Sequence, residues 1–510
     1  MNARGVSLSV FERVMEIASR RGFFWPSCSD VYSNYPAGLW SYGPLGARLI
    51  EKITSLWRRI AINHGAYELI TPNMMSVKVF EASGHTKHFS DRFVECKKCH
   101  SRFRVEMLLA GHIDKTSLEN ITDAEADRLI RELNVKCPRC GSRNFTEVAR
   151  FNLMFTTQIG AKGGEIAVLR PETTQGSVVE LKHVVRSMRS KLPVILYQQG
   201  SAFRNEISPR LGLVRLREFH MMELHIFFDP ENPGFQKEVE SISHYKLRFL
   251  KLEDRDSGKI TEMEVGEALR EGYTINTLIT YWLAVVQKFF NETLGIPMER
   301  LRYKELSDRE RAHYAAAHWD LECYTKDLGW IEVANNAYRT DYDIRGHMSL
   351  SGEDLTVDVD GKKIIPHMYE PSIGIDRTIL NLLLISYTDE GERKYLRLPR
   401  HLAPIDVGVL PLVKRDGLDR VAYEISQELK SEFYVDYDDR GTIGRRYRRF
   451  DEIGTPVCVT VDYETLEDDT VTLRDRDSMN QVRAPRSQLA SKIKLFLSGS
   501  PLEKLGEPLA

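Results

Sequence analysis

The sequence has no uninterrupted apolar run of membrane-spanning length anywhere in its 510 residues. A transmembrane helix needs about 20 consecutive apolar residues, so we expect none. The start, MNARGVSLSVFERVMEIASRRGFF, also lacks the apolar block of a signal peptide. Internal repeats and low-complexity tracts are missing as well. Together these absences predict a cytoplasmic protein rather than a membrane or secreted one.

The chain also lacks an excess of either charge, since 71 Lys and Arg against 73 Asp and Glu give a net charge of −2. Proteins that coat nucleic acid are strongly basic, so any RNA contact must rest on local basic patches. A content of 42% hydrophobic and 28% charged residues is ordinary for a protein with packed cores. The length predicts about two to four domains.

Cysteine is scarce, with seven residues, but four of them have the spacing of zinc ligands. Cys96 and Cys99 form one CxxC turn, and Cys137 and Cys140 form the other. Four thiolates close a tetrahedral zinc site and leave no open position for catalysis. Disulfides are the alternative, but the other three cysteines show no pairing pattern and cytoplasmic thiols stay reduced. We therefore predict a structural zinc ribbon with a helical insert.

The stretch 200–228, GSAFRNEISPRLGLVRLREFHMMELHIFF, predicts two antiparallel strands joined by a loop with proline and glycine. Side chains two residues apart share a strand face. The first strand thus carries Arg204 and Glu206 together, and one face of the second carries Arg215, Arg217, Phe219 and Glu223. A half-buried structural strand would place apolar residues there. The alternative is a salt-bridged hairpin whose charges face water.

The order of residue types in this hairpin resembles motif 2 of the class II aminoacyl-tRNA synthetases. F-R-x-E matches residues 203–206, and R-x-x-x-F-x-x-x-E matches residues 215–223. The resemblance implies that Arg204 binds the α-phosphate of ATP and that Arg215 binds the γ-phosphate. It also implies that Glu206 contacts adenine and that Phe219 stacks on the purine.

Upstream, a long amphipathic helix begins at Gly43-Pro44 and leads into a short strand, Tyr67 to Thr71, that ends at Pro72. Its apolar residues recur three or four positions apart, at Leu45, Leu49, Ile53, Leu56 and Ile60. This order resembles motif 1, which forms the dimer interface in that family, although a plain core helix is the alternative. The next segment, EASGHTKHFSDR, resembles the one after motif 1 in glycyl-tRNA synthetases.

The segment PHMYEPSIGIDR, residues 366–377, predicts a strand that turns at Gly374 into an apolar helix. Arg377 lies in the first turn of that helix, where a cation is unfavourable because it opposes the helix dipole. An anion bound nearby would offset this cost, so the position indicates an anion-binding site. The segment resembles motif 3, whose arginine contacts the γ-phosphate. Ser372 replaces the first glycine of the generic G-x-G-x-x-R motif, and Glu370-Pro-Ser372 resembles the glycyl-tRNA synthetase version.

Further segments resemble substrate-binding parts of the glycyl enzymes. RPETTQG, residues 170–176, resembles the amino-acid-binding segment, which implies that Glu172 meets the substrate ammonium group. GWIEVANNAYRTDYDI, residues 329–344, predicts a strand, and the resemblance places Glu332 on the magnesium of ATP and Arg339 in the substrate site. An edge strand with solvent charges is the alternative. Arg104, in SRFRVE, resembles another substrate contact.

After Pro399 the pattern runs strand, helix, strand, helix, strand, which predicts a small layered α/β domain. It resembles the anticodon-binding domain of several class II synthetases. Five arginines flank Tyr447 and are expected to contact RNA phosphates, with a solvated helix face as the alternative: Arg440, Arg445, Arg446, Arg448 and Arg449.

The resemblance covers nearly the whole chain, and the sequence is identified as a member of the glycyl-tRNA synthetases of the dimeric archaeal and eukaryotic kind. It implies an α/β (α+β) fold with an antiparallel β-sheet core flanked by helices. The expected divisions are a catalytic core with motif 1 at 1–92, a zinc ribbon at 93–149, motif 2 at 150–228, a helical insertion at 229–326, motif 3 at 327–400, and an anticodon-binding domain at 401–510.

The implied activity is ATP-dependent attachment of glycine to the 3′ end of tRNA(Gly) through a glycyl-adenylate, by a homodimer that uses ATP with Mg²⁺ and structural Zn²⁺. Arg204 and Arg377 are expected to be catalytic. The expected ATP-binding residues are Arg204, Asn205, Glu206, Val214, Arg215, Leu216, Arg217, Glu218, Phe219, Glu332, Val333, Gly374, Ile375, Asp376 and Arg377. The expected glycine-binding residues are Arg104, Glu172, Phe219, His220, Met221, Met222, Glu223, Arg339, Glu370, Pro371, Ser372, Ile373 and Gly374.

Glycine offers no side chain, so selection must come from binding its ammonium group and excluding larger side chains. Carboxylates at Glu172, Glu223 and Glu370 would pair with the ammonium group, and Glu370 with Ser372 would fill the space of a β-carbon. A class II synthetase for another small amino acid, such as serine, threonine or proline, is one alternative. A non-catalytic paralogue that binds nucleic acid is the other alternative. Such a protein could lose the ATP-binding arginines, but Arg204, Arg215 and Arg377 are all present.

Overall fold

A computed structural model describes residues 8–113, 121–209 and 211–509 of the protein. Residues 1–7, 114–120, 210 and 510, which belong to the domains expected from the sequence, lie outside the described residues. None of the helices among the described residues combines the length and the apolar character needed to cross a bilayer. The elements up to residue 169 are α1 (Val10–Arg21), β1 (Phe24–Pro26), β2 (Trp40–Tyr42), α2 (Pro44–Asn63), β3 (Tyr67–Glu68), β4 (Met74–Ser76), α3 (Val77–Ala82), α4 (His85–His88), β5 (Ser90–Glu95), β6 (Arg102–Arg104), α5 (Val105–Leu109), α6 (Asp123–Glu132), β7 (Ala149–Asn152), β8 (Phe155–Gln158) and β9 (Ile166–Leu169).

The middle of the chain supplies most of the central sheet. Its elements are α7 (Thr174–Met188), β10 (Val194–Phe203), β11 (Glu218–Phe228), α8 (Gln236–Ser241), β12 (Lys246–Leu250), β13 (Thr261–Glu264), α9 (Val265–Arg270), α10 (Thr277–Lys288), β14 (Leu301–Glu305), β15 (Ala317–Thr325), β16 (Gly329–Thr340), α11 (Tyr342–Ser351), β17 (Val357–Val359), β18 (Lys362–Ile364), β19 (His367–Gly374), α12 (Ile375–Ser386), β20 (Tyr387–Glu390) and β21 (Arg393–Leu396).

The C-terminal part forms a separate sheet with its own helices. Its elements are β22 (Val407–Pro411), α13 (Leu418–Leu429), β23 (Val435–Tyr437), α14 (Ile443–Glu452), β24 (Val457–Val461), α15 (Tyr463–Asp468), β25 (Thr470–Asp475), β26 (Gln481–Pro485), α16 (Leu489–Leu497) and β27 (Glu507–Pro508). Short 3₁₀ turns at Gly212–Val214, Leu252–Asp254, Met298–Arg300, Arg400–Leu402, Arg486–Gln488 and Leu502–Lys504, and a π-helical turn at Phe289–Thr293, connect the larger elements.

A nine-stranded sheet of order β13-β12-β14-β15-β16-β19-β11-β10-β3 organises the first 400 residues. Most neighbours are antiparallel, but the β10–β3 and β12–β14 pairs are parallel, so the sheet is mixed. Helices α2, α10 and α12 pack into one apolar core against one face, and α7 and α11 pack against the other. Side-chain alternation therefore sends successive residues of each strand to opposite cores.

The predicted hairpin is confirmed, with β10 and β11 paired antiparallel from Val194 opposite Phe227 to Phe203 opposite Glu218. Its first strand ends earlier than expected, so Arg204 lies in the connecting loop. The reason is local, because the Asn205 amide donates to the Leu153 carbonyl at 2.7 Å instead of to the partner strand.

The motif 1 region also follows the prediction. Helix α2 begins with Pro44 in its first turn, where proline needs no hydrogen-bond partner, and it buries Leu49, Ile53 and Trp57. The predicted strand from Tyr67 is shorter than expected, because its parallel pairing with β10 covers only two residues at the sheet edge.

The expected helical insertion at 229–326 is wrong. Strands β12 to β15 in this stretch extend the central sheet, and α10 packs beneath them. In β12, Leu247 and Phe249 face the core while Lys246 and Arg248 point outward. This alternation spans only five residues. Because the surrounding sequence is rich in Glu and Lys, the two-residue period typical of a strand was too short to predict one.

The cysteine ribbon lies on a small sheet of order β6-β5-β7. The Sγ atoms of Cys96 and Cys140 lie 3.6 Å apart, as do those of Cys99 and Cys137. A tetrahedral zinc with bonds of about 2.3 Å places its sulfurs about 3.8 Å apart, so the four thiols fit a zinc ion.

The C-terminal domain has the predicted alternation of strands and helices and a core of its own. One of the five arginines expected to contact RNA is not available. Arg446 is 2% exposed, and its guanidinium donates to the carbonyl oxygens of Pro411, Asp439 and Gly441. Arg440, Arg445 and Arg448 are exposed. The charge run is therefore partly structural.

Candidate functional site

A cavity of about 1020 Å³ opens on the α7 and α11 side of the central sheet. Phe219, Met221 and Glu223 of β11 face it, while Met222, Leu224, Ile226 and Phe228 enter the core beneath. It brings together many of the predicted site residues: Arg104, Glu172, Arg204, Glu206, Val214, Arg215, Leu216, Phe219, Met221, Glu223, Glu332, Val333, Glu370, Ser372, Gly374, Asp376 and Arg377.

Other predicted residues, all within the described ranges, lie behind or beside the cavity wall: Asn205, Arg217, Glu218, His220, Met222, Arg339, Pro371, Ile373 and Ile375. Met222 and Ile373 are fully buried in the core, as strand alternation requires. Arg217 donates to the carbonyl oxygens of Ala37 at 2.7 Å and Glu206 at 2.9 Å. It braces the hairpin loop rather than facing a ligand.

One end of the cavity is cationic. Arg204 lies between two aromatic rings, with its guanidinium carbon 5.3 Å from the Phe89 centroid and 5.2 Å from the Phe219 centroid. Arg215 lies 3.9 Å from Glu206. Burial, followed by repulsion from Arg104, lowers the pKa of Arg215. Cations crowded in this way fit an anionic ligand such as a phosphate chain.

Arg377 joins this end from the first turn of α12. It donates to the Glu332 carboxylate at 2.9 Å and to the Val214 carbonyl at 3.0 Å. Burial would raise the pKa of Glu332, but the charge of Arg377 brings it below its usual value. The pair thus holds β16, the hairpin loop and α12 together at the cavity.

Asp376, the neighbour of Arg377, is committed to the protein. It accepts hydrogen bonds from the Tyr42 hydroxyl at 2.5 Å and from the His220 amide at 2.6 Å. Burial would lower the pKa of His220, but its bond to Asp376 raises it above the usual value. Asp376 therefore positions the motif 3 turn rather than offering a free carboxylate.

The other end of the cavity is acidic. Glu223 accepts hydrogen bonds from the Ser372 hydroxyl at 2.5 Å and the Thr173 amide at 2.8 Å. Glu370 accepts one from the Thr174 hydroxyl at 2.5 Å. These contacts fix the carboxylates while leaving lone pairs for a ligand cation.

Arg339 lies beneath this acidic end and is completely buried. It donates to Asp343 at 2.7 Å, to Glu370 at 2.8 Å and to Glu172 at 3.2 Å. Its guanidinium carbon lies 3.5 Å from the centroid of the Tyr314 ring. Because its donors are used by these carboxylates, Arg339 supports the site from below and does not line it.

The three cavity carboxylates respond differently to burial. Burial would raise the pKa of Glu172, but Arg339 and then His85 hold it well below the usual value. For Glu223, the His225 ring 3.7 Å away and hydrogen bonds from Ser372 and Thr173 outweigh burial and lower the pKa. For Glu370, burial raises the pKa by more than the charge of Arg339 lowers it. Repulsion from Glu172 and Glu223 raises this pKa further. The group as a whole carries more negative than positive charge.

Several cavity residues were missed by sequence reasoning. Asp320 on β15 lies near Glu332, and its pKa is raised by burial and then by that neighbouring carboxylate. His85 lies 3.5 Å from Glu172. The connection between β14 and β15 also covers the cavity and contributes His313 and Tyr314. His85 lies in the segment EASGHTKHFSDR that resembles the glycyl enzymes, so the resemblance could have pointed to it. The others belong to no local pattern, because the strands that carry them were not predicted.

Two groups have the spacing of metal ligands among the described residues. The four ribbon cysteines form one, and Glu223, His225 and Glu370 form the other. In the second group the carboxylates already accept bonds from threonine, serine and arginine.

Comparison with protein families gives two matches. A family model described as "tRNA synthetase class II core domain (G, H, P, S and T)" matches residues 155–385. A second, described as "Anticodon binding domain", matches residues 406–495. The class II core expected from the sequence is thereby confirmed.

Curated relatives match over almost the whole chain. The glycine–tRNA ligase of Pyrococcus abyssi is 38% identical over 97% of this chain and 100% of its own length. That of Methanothermobacter thermautotrophicus is 38% identical over 95% of this chain and 98% of its own length. Among solved structures, the prolyl-tRNA synthetase of Cryptosporidium parvum complexed with L-proline and AMP has a TM-score of 0.57 at 16% identity, covering 96% of this chain and 75% of that one. This last likeness shows the fold alone.

We predict that Arg339→Met lowers the free energy of unfolding by about 3–5 kcal/mol at pH 7.5, because it leaves buried carboxylates without their cation. The deficit relative to wild type should narrow as pH falls towards 5. Without Arg339, burial would raise the pKa of Glu172 in the folded state above its unfolded value, and such a group adds stability as pH falls. Urea denaturation at both pH values measures this. An equal deficit at both would contradict it.

Proposed function

The chain belongs to the glycine–tRNA ligase family, and on that premise we propose how its cavity divides the work between ATP and glycine. The enzyme attaches glycine to tRNA, and its class II core implies ATP and Mg²⁺. The observation that carries the division of roles is the separation of charge, with arginines at one end of the cavity and buried carboxylates at the other.

The cationic end takes ATP. Arg204 contacts the α-phosphate, and Arg215 and Arg377 contact the γ-phosphate. Phe219, whose ring is only half-buried, stacks on the adenine. In support, Arg204 is held by the Pro171 carbonyl at 3.3 Å and by two flanking rings, so little freedom is lost when phosphate binds.

The Mg²⁺ that accompanies ATP would be held by Glu332 with Asp320, since hard cations prefer carboxylate oxygens. When bound, the ion supplies charge neutralisation of phosphate oxygens. Glu332 is also the partner of Arg377, so it keeps that arginine in place between turnovers.

The acidic end takes the glycine ammonium group. Glu172, Glu223, Glu370 and the underlying Asp343 carry four negative charges when ionised, and Arg339 supplies one positive charge within the group. A ligand cation offsets part of this excess and finds charge-assisted hydrogen bonds. Glycine placed this way directs its carboxylate towards the arginines.

Activation is then an in-line displacement. A glycine carboxylate oxygen attacks the α-phosphorus of ATP, the P–O bond to pyrophosphate breaks, and glycyl-adenylate forms. Arg204 and Arg377 stabilise the charge that spreads over the phosphate oxygens. The 3′-terminal tRNA hydroxyl then attacks the glycyl carbonyl carbon, the bond to AMP breaks, and the glycyl ester remains on tRNA.

Four further proposals concern zinc, dimerisation, tRNA binding and location. The four ribbon thiols bind structural zinc, and the 3.6 Å distances between their sulfur atoms support this proposal. The motif 1 region forms a homodimer interface, which is supported by Ile70, an apolar residue left 89% exposed beside β3. The exposed arginines near Tyr447, which are Arg440, Arg445 and Arg448, contact tRNA phosphates. A cytoplasmic location fits the substrates and the free thiols.

Arg204→Ala should reduce glycine-dependent ATP–pyrophosphate exchange by about a hundredfold or more, because it removes a contact that strengthens in the transition state. Melting temperature should stay near wild type. The matched control is Arg420→Ala, which removes an exposed arginine from α13 and should leave exchange unchanged. Near-normal exchange in Arg204→Ala would contradict the motif 2 roles.

Cys99→Ser and Cys137→Ser should each lower the zinc content of the purified protein and its melting temperature, because three thiolates hold zinc less firmly than four. Cys28→Ser, which changes an exposed cysteine outside the ribbon, is the control. Metal analysis of all the proteins measures this. Wild-type protein free of zinc after purification without chelators would contradict the zinc proposal.

A further inference from the structure

The connection between β14 and β15, residues 306–316, is here called the lid loop. These strands are antiparallel neighbours, which need as few as about two connecting residues. The lid loop is much longer and folds back over the cavity, where Leu306, Glu310, His313 and Tyr314 are part of the lining. Compact surface loops of about 6–16 residues whose ends lie close together are frequently functional.

The lid loop is firmly anchored at both ends. Glu310 accepts bonds from Lys304 at 2.8 Å and from the Ser307 amide at 3.1 Å, and it also pairs with Arg255. Burial would raise the pKa of Glu310, but these bonds lower it to about 2. At the far end, His313 donates to the Ser83 carbonyl at 3.0 Å. The loop therefore presents its side chains in a fixed position.

Tyr314 is the lid-loop residue that reaches the acidic end. Its ring covers the Arg339 guanidinium at 3.5 Å, and that guanidinium holds Glu172 and Glu370. Burial, followed by the charge of Glu172, raises the pKa of the Tyr314 hydroxyl well above its usual value. The ring is half-buried and lines the cavity. It thus forms a wall directly beside the carboxylates.

We propose that Tyr314 is a specificity-determining residue that closes the glycine site against any substituent on the α-carbon. The inference rests on the proposed function, in which the carboxylates bind the ammonium group. Glu370 and Ser372 lie on β19, and both are tied down by hydrogen bonds within the floor of the site. An ammonium group fixed on that floor leaves the α-carbon facing away from it, towards the wall.

The physical reason for exclusion is rigidity. Protein interiors are close-packed, so a methyl group that meets an anchored ring must displace it. The ring of Tyr314 is held by its own stacking on Arg339 and by the two anchors of the lid loop. A site that is too small refuses an added methyl group more strongly than a large site refuses a missing one.

The test is ATP–pyrophosphate exchange with glycine and with L-alanine on four proteins: wild type, Tyr314→Ala, Tyr314→Phe and Tyr324→Ala. In Tyr314→Ala, the ratio of alanine to glycine kcat/KM should rise by about tenfold or more. Tyr314→Phe keeps the ring and should keep the wild-type ratio. Tyr324→Ala removes an exposed tyrosine from the far end of β15 and should also keep it.

A folded Tyr314→Ala protein that activates glycine with the wild-type ratio would overturn the inference. If that variant does not melt cooperatively, Tyr314→Leu replaces it, and the same ratio, expected to rise less, decides. An equal rise in Tyr314→Phe would also overturn it, since the hydroxyl and not the ring would then matter. Failure of the proposed function looks different, because wild type would show no glycine-dependent exchange.

Discussion

The site depends on a single buried cation. Arg339 has no exposed surface, and its guanidinium joins Glu172 before α7, Asp343 on α11 and Glu370 on β19. Burying four ionised side chains is costly unless every charge is paired and hydrogen-bonded. One arginine therefore holds together three carboxylates that would otherwise repel one another, and so it fixes the relative positions of the three segments that carry them. The cavity carboxylates are fixed before any ligand arrives.

This arrangement suits the acidic end to the cation that we propose it binds. A fully neutral cluster would have no reason to bind an ammonium group, and an unpaired one would protonate instead. With one internal cation for several carboxylates, Glu172 stays ionised while the pKa of Glu370 rises. In the proposed complex the substrate ammonium group offsets the remaining negative charge, so binding energy and charge selectivity have the same source.

Local patterns in the sequence predicted α2, the hairpin, the turn at Gly374 and the C-terminal alternation, because each is set by residues close in sequence. The role of Arg339 was not predictable, since residue type does not reveal whether its partner is a substrate or the protein. Strands β12 to β15 were missed because their pairing is tertiary and their periods are short. Tyr314 was missed because its position in the cavity depends on its tertiary contact with Arg339, which the sequence around it does not show.

The cysteine ribbon and the cavity share two strands. Cys96 follows β5 directly, while Ser90 and Asp91 at the other end of β5 line the cavity. On the neighbouring strand, β6 ends with Arg104, which pairs with Asp91 at 2.7 Å. The four thiols thus lie at one end of the β5–β6 pair, and Arg104 lines the cavity at the other end. A metal there would act on catalysis through position, without touching any reacting atom.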